Sequence, residues 1–289
     1  MNENFLVSIV LPTCNGSRYL KQSIDSCLNQ TYKNLELIIV DDGSSDNTAD
    51  IIKSYSDRRI RYFKHEKNLG LPAALNTGFA KSAGEYLTWT SDDNFYAKKA
   101  IARMAEVLEK NKDIGFVYAN FYLIDEAGKI LKPLRAGSPK SLDNNNFIGA
   151  CFLYRREVYE KIGEYDLKLR LAEDYNYWLR IRQSFKMKRI NDFLYYYRHH
   201  QNSLTSLNKL AEIAAQVQKA GRGYVSCSAE YYHQGKVFFY KKDYKSAKKS
   251  LIKSVASKLF NFASWKLLIF VCLTILSPAF ARRIKKIKN

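Results

Sequence analysis

The chain has 289 residues, 46% of them hydrophobic, 26% charged and 14% aromatic, which excludes a disordered or collagen-like polymer and suits one large or two smaller globular domains. Its net charge of +19 is placed unevenly: Met1–Asp174 holds 24 basic and 24 acidic residues, whereas Tyr175–Asn289 holds 23 and 4. An excess confined to the C-terminal part predicts a polyanionic surface there, either membrane or nucleic acid.

The first hundred residues alternate strand and helix signals. Leu6–Leu11 (LVSIVL) reads as a buried strand stopped by Pro12, and Ser17–Asn29 carries apolar residues at helical spacing. Leu35–Val40 is a second strand ending in Asp41-Asp42-Gly43-Ser44-Ser45, and Asp46 can cap the helix that follows. Ile60–Phe63 (strand), Pro72–Lys81 (helix) and Glu85–Thr90 (strand) continue the series, which implies crossover units and a mainly parallel sheet. A helix over Ala97–Glu109 leads to Gly115–Ile124 and Lys129–Leu131, a hairpin around Glu126-Ala127-Gly128. Phe147–Tyr154 reads as a strand, Tyr175–Ser184 as a helix and Met187–Arg198 as an aromatic-rich strand. From Thr205 onward the pattern is helical.

Five cysteines (Cys14, Cys27, Cys151, Cys227 and Cys272) are odd in number and never in CxxC, so neither a zinc site nor a disulfide framework is indicated. A reduced, cytosolic chain is the expectation. The opening MNENFLVSIVLP lacks the basic region and long apolar run of a secretory signal.

In an open parallel sheet, ligands bind outside the carboxyl ends of the strands. Three clusters fall at such ends: Pro12-Thr13-Cys14-Asn15-Gly16, Asp41-Asp42-Gly43-Ser44 and Ser91-Asp92-Asp93-Asn94. Two acidic pairs on one rim repel unless a cation or a donor-rich ligand holds them, and a hard divalent ion with a nucleoside diphosphate would do so. Neither a P-loop (GxxxxGK[ST]) nor a GxGxxG fingerprint after the first strand occurs, so the site would be built from carboxylates and a metal rather than from a glycine loop.

Taken together, VSIVLPTCNGSRYLKQSIDSCLNQTYKNLELIIVDDGSSDNT and NLGLPAALNTGFAKSAGEYLTWTSDDN resemble the N-terminal half of family 2 glycosyltransferases with the GT-A fold. The likeness covers roughly Val7–Ile181. It implies a nucleotide-sugar donor, with Pro12 and Thr13 lining the base pocket, Asn15 supporting the turn and Asp42 accepting a hydrogen bond from uracil N3. Asn76 would point towards the nucleotide-sugar, Asp92 would contact sugar or ribose, and Asp93 would ligate Mn²⁺ or Mg²⁺. Thr90 stands where the usual Asp-x-Asp-Asp motif has its first acid, a form shared with spore-coat-type members. Glu173-Asp174 matches the element in which the Asp is the catalytic base of inverting enzymes. His199 and His200 are candidate phosphate contacts, and His65 reads as a loop residue.

These readings give a catalytic domain over 1–204 and a helical tail over 205–289. Tyr231–Ala247 resembles one degenerate tetratricopeptide-like helix pair, which cannot bury its own face and must dock. Leu267–Phe280 is too short to span a bilayer and reads either as a buried core helix or, favoured by the Arg282-Arg283-Ile284-Lys285-Lys286-Ile287-Lys288 that follows, as an interfacial helix on an anionic leaflet. No nucleic-acid recognition motif occurs, so no nucleic-acid partner is expected. The expected protein is a peripheral enzyme on the inner face of the cell membrane, acting on a glycan or lipid-linked acceptor in bacterial surface polysaccharide synthesis. The rival readings are a sugar nucleotidyltransferase and a non-catalytic scaffold of a polysaccharide assembly complex.

Overall fold

The computed structural model describes residues 5–200, 210–259 and 261–276. Strands β1 (Val7–Thr13), β2 (Leu35–Asp41), β3 (Ile60–Lys64) and β4 (Tyr86–Trp89) alternate with helices α1 (Leu20–Leu28), α2 (Thr48–Lys53) and α3 (Leu71–Ala80). All seven residues of β1 and all seven of β2 are buried, as a central sheet covered on both faces requires. Successive side chains of β1 serve opposite faces: Val7, Ile9 and Leu11 join α1 in one core, while Val10 joins α3 in the other. Gly78 of α3 lies so close to β1 that a Cβ there would stand 2.3 Å from a Val10 methyl, and this sets the helix–sheet distance.

After β4 come β5 (Phe95–Tyr96), α4 (Ala100–Lys110), β6 (Ile114–Ile124), β7 (Ile130–Leu134), a 3-10 turn at Pro139–Asp143, β8 (Phe152–Arg155), α5 (Arg156–Ile162), α6 (Glu173–Ser184) and β9 (Lys186–Arg198). The strand order is β3-β2-β1-β4-β8-β6-β9-β5, with β7 on β6. The β1–β4 half is wholly parallel, as expected. In the other half β8 runs antiparallel to both β4 and β6, and β6 and β9 are parallel, so the sheet as a whole is mixed. The strand expected over Phe147–Tyr154 is confined to its C-terminal end. Gly149 (φ 74°), where a Cβ would meet the Phe121 ring at 2.5 Å, bends the chain ahead of it.

One residue opens the ligand-facing edge. Thr90 N–H donates to Val10 O (2.9 Å), and the β1–β4 register ends at Val10 paired with Trp89. The next residue of β1 facing β4 is Pro12, which has no N–H to continue the ladder, so β4 parts from β1 there.

The tail forms α7 (Leu210–Gly221), α8 (Cys227–Tyr240), α9 (Tyr244–Ser257) and α10 (Phe262–Leu276). The expected helix pair is α8 and α9, where Gly235 sits against Leu251 so closely that a Cβ would approach its Cγ to 2.7 Å. A buried polar knot joins α8, α9 and α10: Ser228 Oγ donates to Ser254 O (2.8 Å) and Asn261 Nδ2 to Ser228 Oγ (2.9 Å). The tail docks on the α/β part through α7, where Ala220 O accepts from Asn176 Nδ2 (3.1 Å), and through α8, where His233 Nε2 lies 2.7 Å from Asp143 O. The expected boundary at 204/205 and the basic run Arg282–Lys288 lie outside the described residues.

Candidate active site

Thr13, the last residue of β1, joins the three strand ends. Its carbonyl accepts from Asp42 N–H (2.8 Å), and its Oγ1 donates to Asp92 Oδ2 (2.6 Å). Beyond it Asn15 adopts a left-handed φ of 54°, and its Oδ1 accepts from Ser45 N–H (2.9 Å) while its own N–H donates to Ser44 Oγ (2.9 Å). Asn15 thus supports the turn by stitching the β1 loop to the β2 loop. Gly16 closes over the acid: a Cβ there would lie 2.0 Å from Asp92 Oδ2.

The acids after β2 are buried and occupied. Asp41 Oδ1 accepts from Ser44 N–H (2.8 Å) and Oδ2 from the Tyr62 hydroxyl (3.0 Å), a turn-stabilising role. Asp42 Oδ1 accepts from Leu69 N–H (2.9 Å) and lies 2.7 Å from His65 Nδ1, and Oδ2 accepts from Gly70 N–H (2.8 Å). Of the roughly four acceptor positions of a carboxylate, about one on Oδ2 stays open to a base. Asp42 therefore also orders the loop between β3 and α3. His65 is more than a loop residue, because its Nε2 lies 3.0 Å from Thr77 Oγ1 and the ring bridges β2 to α3.

Asp92 and Asp93 follow β4. Burial first, and then the charge of Asp93, pushes Asp92 up to about 7, against the stabilising Thr13 hydroxyl. Burial raises Asp93 as well, opposed by His200 and Arg198. Asp93 Oδ2 lies 3.0 Å from His200 Nε2, whereas its Oδ1 is buried with no hydrogen-bond partner among the described residues. His200, expected to touch phosphate, is thus placed on the acid itself. Thr90 turns inward, its Oγ1 2.7 Å from the Tyr195 hydroxyl, so the position of the absent first acid faces the core. Arg198, 2% exposed, donates to Asp93 O (2.9 Å), Glu126 O (2.7 Å) and Gln22 Oε1 (2.5 Å), fixing the acid's backbone.

No group of three or more His, Cys, Asp or Glu poised for a metal occurs among the described residues. The open Asp93 oxygen beside an imidazole nevertheless fits a Mn²⁺ or Mg²⁺ that draws its other ligands from diphosphate oxygens and water.

Asp174 is the second residue of α6, and Leu171, with a φ of 66°, stores strain just ahead of the helix. Its Oδ1 accepts from Tyr175 N–H (2.6 Å) and its Oδ2 from Asn146 Nδ2 (2.7 Å). Burial holds both Glu173 and Asp174 above the usual carboxylate range, Glu173 further through the charge of Asp174. The β4 end reaches α6 through Trp89 Nε1, which donates to the Tyr165 hydroxyl (3.0 Å), and Tyr165 stacks on Tyr177 at 4.1 Å.

Asn76 has a structural part: its Nδ2 donates to Tyr165 O (2.9 Å) and its Oδ1 accepts from Tyr165 N–H (2.8 Å), which clamps α3 to the segment before α6. Sequence reasoning missed this clamp, Arg198 and Asn146, none of which carries a local signal; only His200, next to the last strand, was open to discovery.

The open sheet, its acidic pairs at the strand ends and the acid-led helix define an α/β enzyme of the GT-A type. Residues 8–163 match Glycosyl transferase family 2, and the chain belongs to that family. It is 37% identical over 224 residues to an uncharacterized glycosyltransferase of Rickettsia typhi, covering 73% of this chain and 70% of the relative. Among solved structures it is similar to S. aureus TarS 1-349 in complex with UDP-GlcNAc (TM-score 0.64, 14% identity, 87% of this chain and 81% of that one). It is also similar to the mannosyltransferase PcManGT of Pyrobaculum calidifontis in complex with GDP-Man and Mn²⁺ (TM-score 0.63, 17% identity, 96% and 82%). At these identities the structural likeness is one of fold.

Proposed function

We propose that the protein is an inverting transferase that moves a hexosyl or N-acetylhexosaminyl unit from a UDP-sugar to a hydroxyl of a glycan or lipid-linked saccharide in bacterial surface polysaccharide synthesis. The observation that carries this reading is the buried Asp93 Oδ1 beside His200, without a hydrogen-bond partner among the described residues, next to an Asp92 held by Thr13. Pro12, Thr13, Asn15 and Asp42 shape the base pocket, and Asp92 faces ribose or sugar. Asp93 and His200 would hold Mn²⁺ or Mg²⁺, which when bound offsets the charge that develops on the diphosphate leaving group. Asp174 takes the proton of the acceptor hydroxyl as that oxygen bonds to C1 and the C1–phosphate oxygen bond breaks on the opposite face, giving inversion. A carboxylate whose proton affinity is raised by burial is a stronger base for this purpose.

The same proposal places the enzyme on the inner face of the membrane. From Tyr244 to the end the sequence has eleven Lys and Arg and no Asp or Glu. Along α10, Phe262, Trp265, Ile269 and Leu273 fall on one helical arc and are 77%, 41%, 56% and 43% exposed, while Leu268 and Val271 pack inward. Among the described residues no helix is long and apolar enough to cross a membrane, so the contact would be interfacial.

Incubation with UDP- and GDP-sugars, with Mn²⁺, Mg²⁺ or chelator, scored by release of free sugar, tests the donor assignment. Metal-dependent hydrolysis of a UDP-sugar is expected; preference for a GDP-sugar or indifference to chelator would remove those parts of the proposal.

A further inference from the structure

Two side chains of the tail, the buried His233 and the half-buried Lys236 of α8, have no part in the chemistry above. Both are aimed at one segment of the catalytic domain. Residues 137–147 form a closed loop, joined by Gly137 N–H to Phe147 O (3.0 Å), anchored by the fully buried Leu142 and containing the 3-10 turn. From one side α6 holds it, the Tyr175 hydroxyl donating to Leu142 O and Arg182 to Asp143 Oδ1 (2.8 Å). From the other side α8 holds it. His233 Nε2 lies 2.7 Å from Asp143 O, and a carbonyl only accepts, so that nitrogen carries the hydrogen. Lys236 Nζ donates to Asn145 Oδ1 (2.8 Å) and sits 5.6 Å from the centre of the Tyr232 ring. Burial pushes His233 down to about 4 and lowers Lys236 too. An amine placed where its charge is disfavoured costs free energy that an apolar side chain of similar length would avoid.

The residue after Asn145 is Asn146, the side chain that donates to Asp174 Oδ2. The other oxygen of Asp174 is held by the next main-chain N–H of its own helix. The carboxyl torsion of an Asp is broad, so a single bond leaves the plane free to swing, and the second donor sets it. That second donor stands on a segment gripped by α8.

We propose that Lys236 and His233 are positioning residues for the base: through Asn145, Asp143 and the loop 137–147 they hold Asn146, which orients Asp174 towards the acceptor hydroxyl. The helical tail is then a working part of the acceptor side of the site. The inference rests on the reading of Asp174 as the base.

The test uses the full chain and the nucleotide-sugar hydrolysed in the donor panel, with water as acceptor, in Lys236→Met and Asn146→Ala. Misplacement of a reacting group by about 1 Å can cost ~10²-fold, and a loosened one less, so each variant should lose roughly tenfold in kcat with donor KM within about twofold. The double variant should be no slower than the slower single, and Lys236→Met should change nothing in an Asp174→Asn background, because both act through one group. Hydrogen exchange of residues 139–147 should rise in Lys236→Met, a readout independent of activity. Asn146 is exposed, so Asn146→Ala keeps the test open if Lys236→Met folds poorly. Unchanged exchange in the loop, an unchanged kcat in either variant, or an equal loss in the Asp174→Asn background overturns the proposal. If Asp174→Asn itself transfers at the wild-type rate, the base reading has failed first; if it is inactive while Lys236→Met is fully active, only the positioning role is lost.

Discussion

Asn76→Ala separates a structural clamp from a substrate contact. The amide is 9% exposed, and its two hydrogen bonds of 2.9 and 2.8 Å both end on the backbone of Tyr165, itself 2% exposed. Removing it leaves a buried N–H and a buried C=O without partners, at about 1–3 kcal/mol each, and opens a small void besides. The expected loss is about 3 kcal/mol of unfolding free energy, or roughly 6–12 °C in Tm for a chain of this size. Asn76→Asp should do no better, since it keeps an acceptor for Tyr165 N–H but sets an anion against the Tyr165 carbonyl. Urea unfolding followed by circular dichroism gives the free energy, and calorimetry with UDP under native conditions gives the affinity. A variant within about 0.5 kcal/mol of wild type that has lost nucleotide-sugar affinity would refute the clamp and restore Asn76 to the donor site.

Asp93→Ala should abolish Mn²⁺-dependent UDP binding in calorimetry while the fold survives; unchanged affinity would take Asp93 out of the metal site. Asp174→Asn keeps the shape but cannot take a proton, so transfer should fall ~10²–10⁴-fold with donor affinity retained, and a near wild-type rate would reduce Asp174 to a helix-terminus acid. His233 is pushed down to about 4 by burial, so below about 6.5 the unfolded chain binds a proton that the native one refuses. The His233 contribution to stability should therefore fall by roughly 3 kcal/mol between pH 6.5 and 4, against the opposite contribution of the raised Asp92 and Glu173, and the stability difference between wild type and His233→Gln in urea titrations should change by that amount across the window. Phe262→Gln with Ile269→Gln should weaken co-sedimentation with phosphatidylserine vesicles without lowering Tm; equal binding by the double variant would deny α10 a lipid-facing role.

The parallel half of the molecule was legible because its signals are local. A strand buried on both faces is a run of apolar residues, and β1, β2 and β4 each ended in a polar cluster whose composition announced the rim. The second half was harder for reasons visible in its residues. Phe147–Tyr154 is as apolar as β1, but its first part is spent on a loop that Gly149 bends over Phe121, and hydropathy does not distinguish a buried strand from a buried turn. The two residues of β5 fall below any periodicity. The site's supporting bonds span long separations in sequence: Asn76 meets Tyr165 across 89 residues and His200 meets Asp93 across 107. Such pairs exist only once the sheet is assembled, so a residue type at one end, such as an asparagine in a helix, gives no sign of the partner it clamps.

The grip of α8 on the loop 137–147 also bears on how the enzyme comes into being. A chain leaves the ribosome from its N-terminus at about 5–20 residues per second, and its early segments begin to fold while the rest is still being made. The four-stranded parallel core, complete by Trp89, can form early. Lys236 is translated 91 residues after its partner Asn145. For roughly 5–18 seconds at those rates the loop 137–147 waits for the side chain that grips it, and Asp93 waits for part of that time too, because Arg198 and His200 also follow Asn145 in the chain.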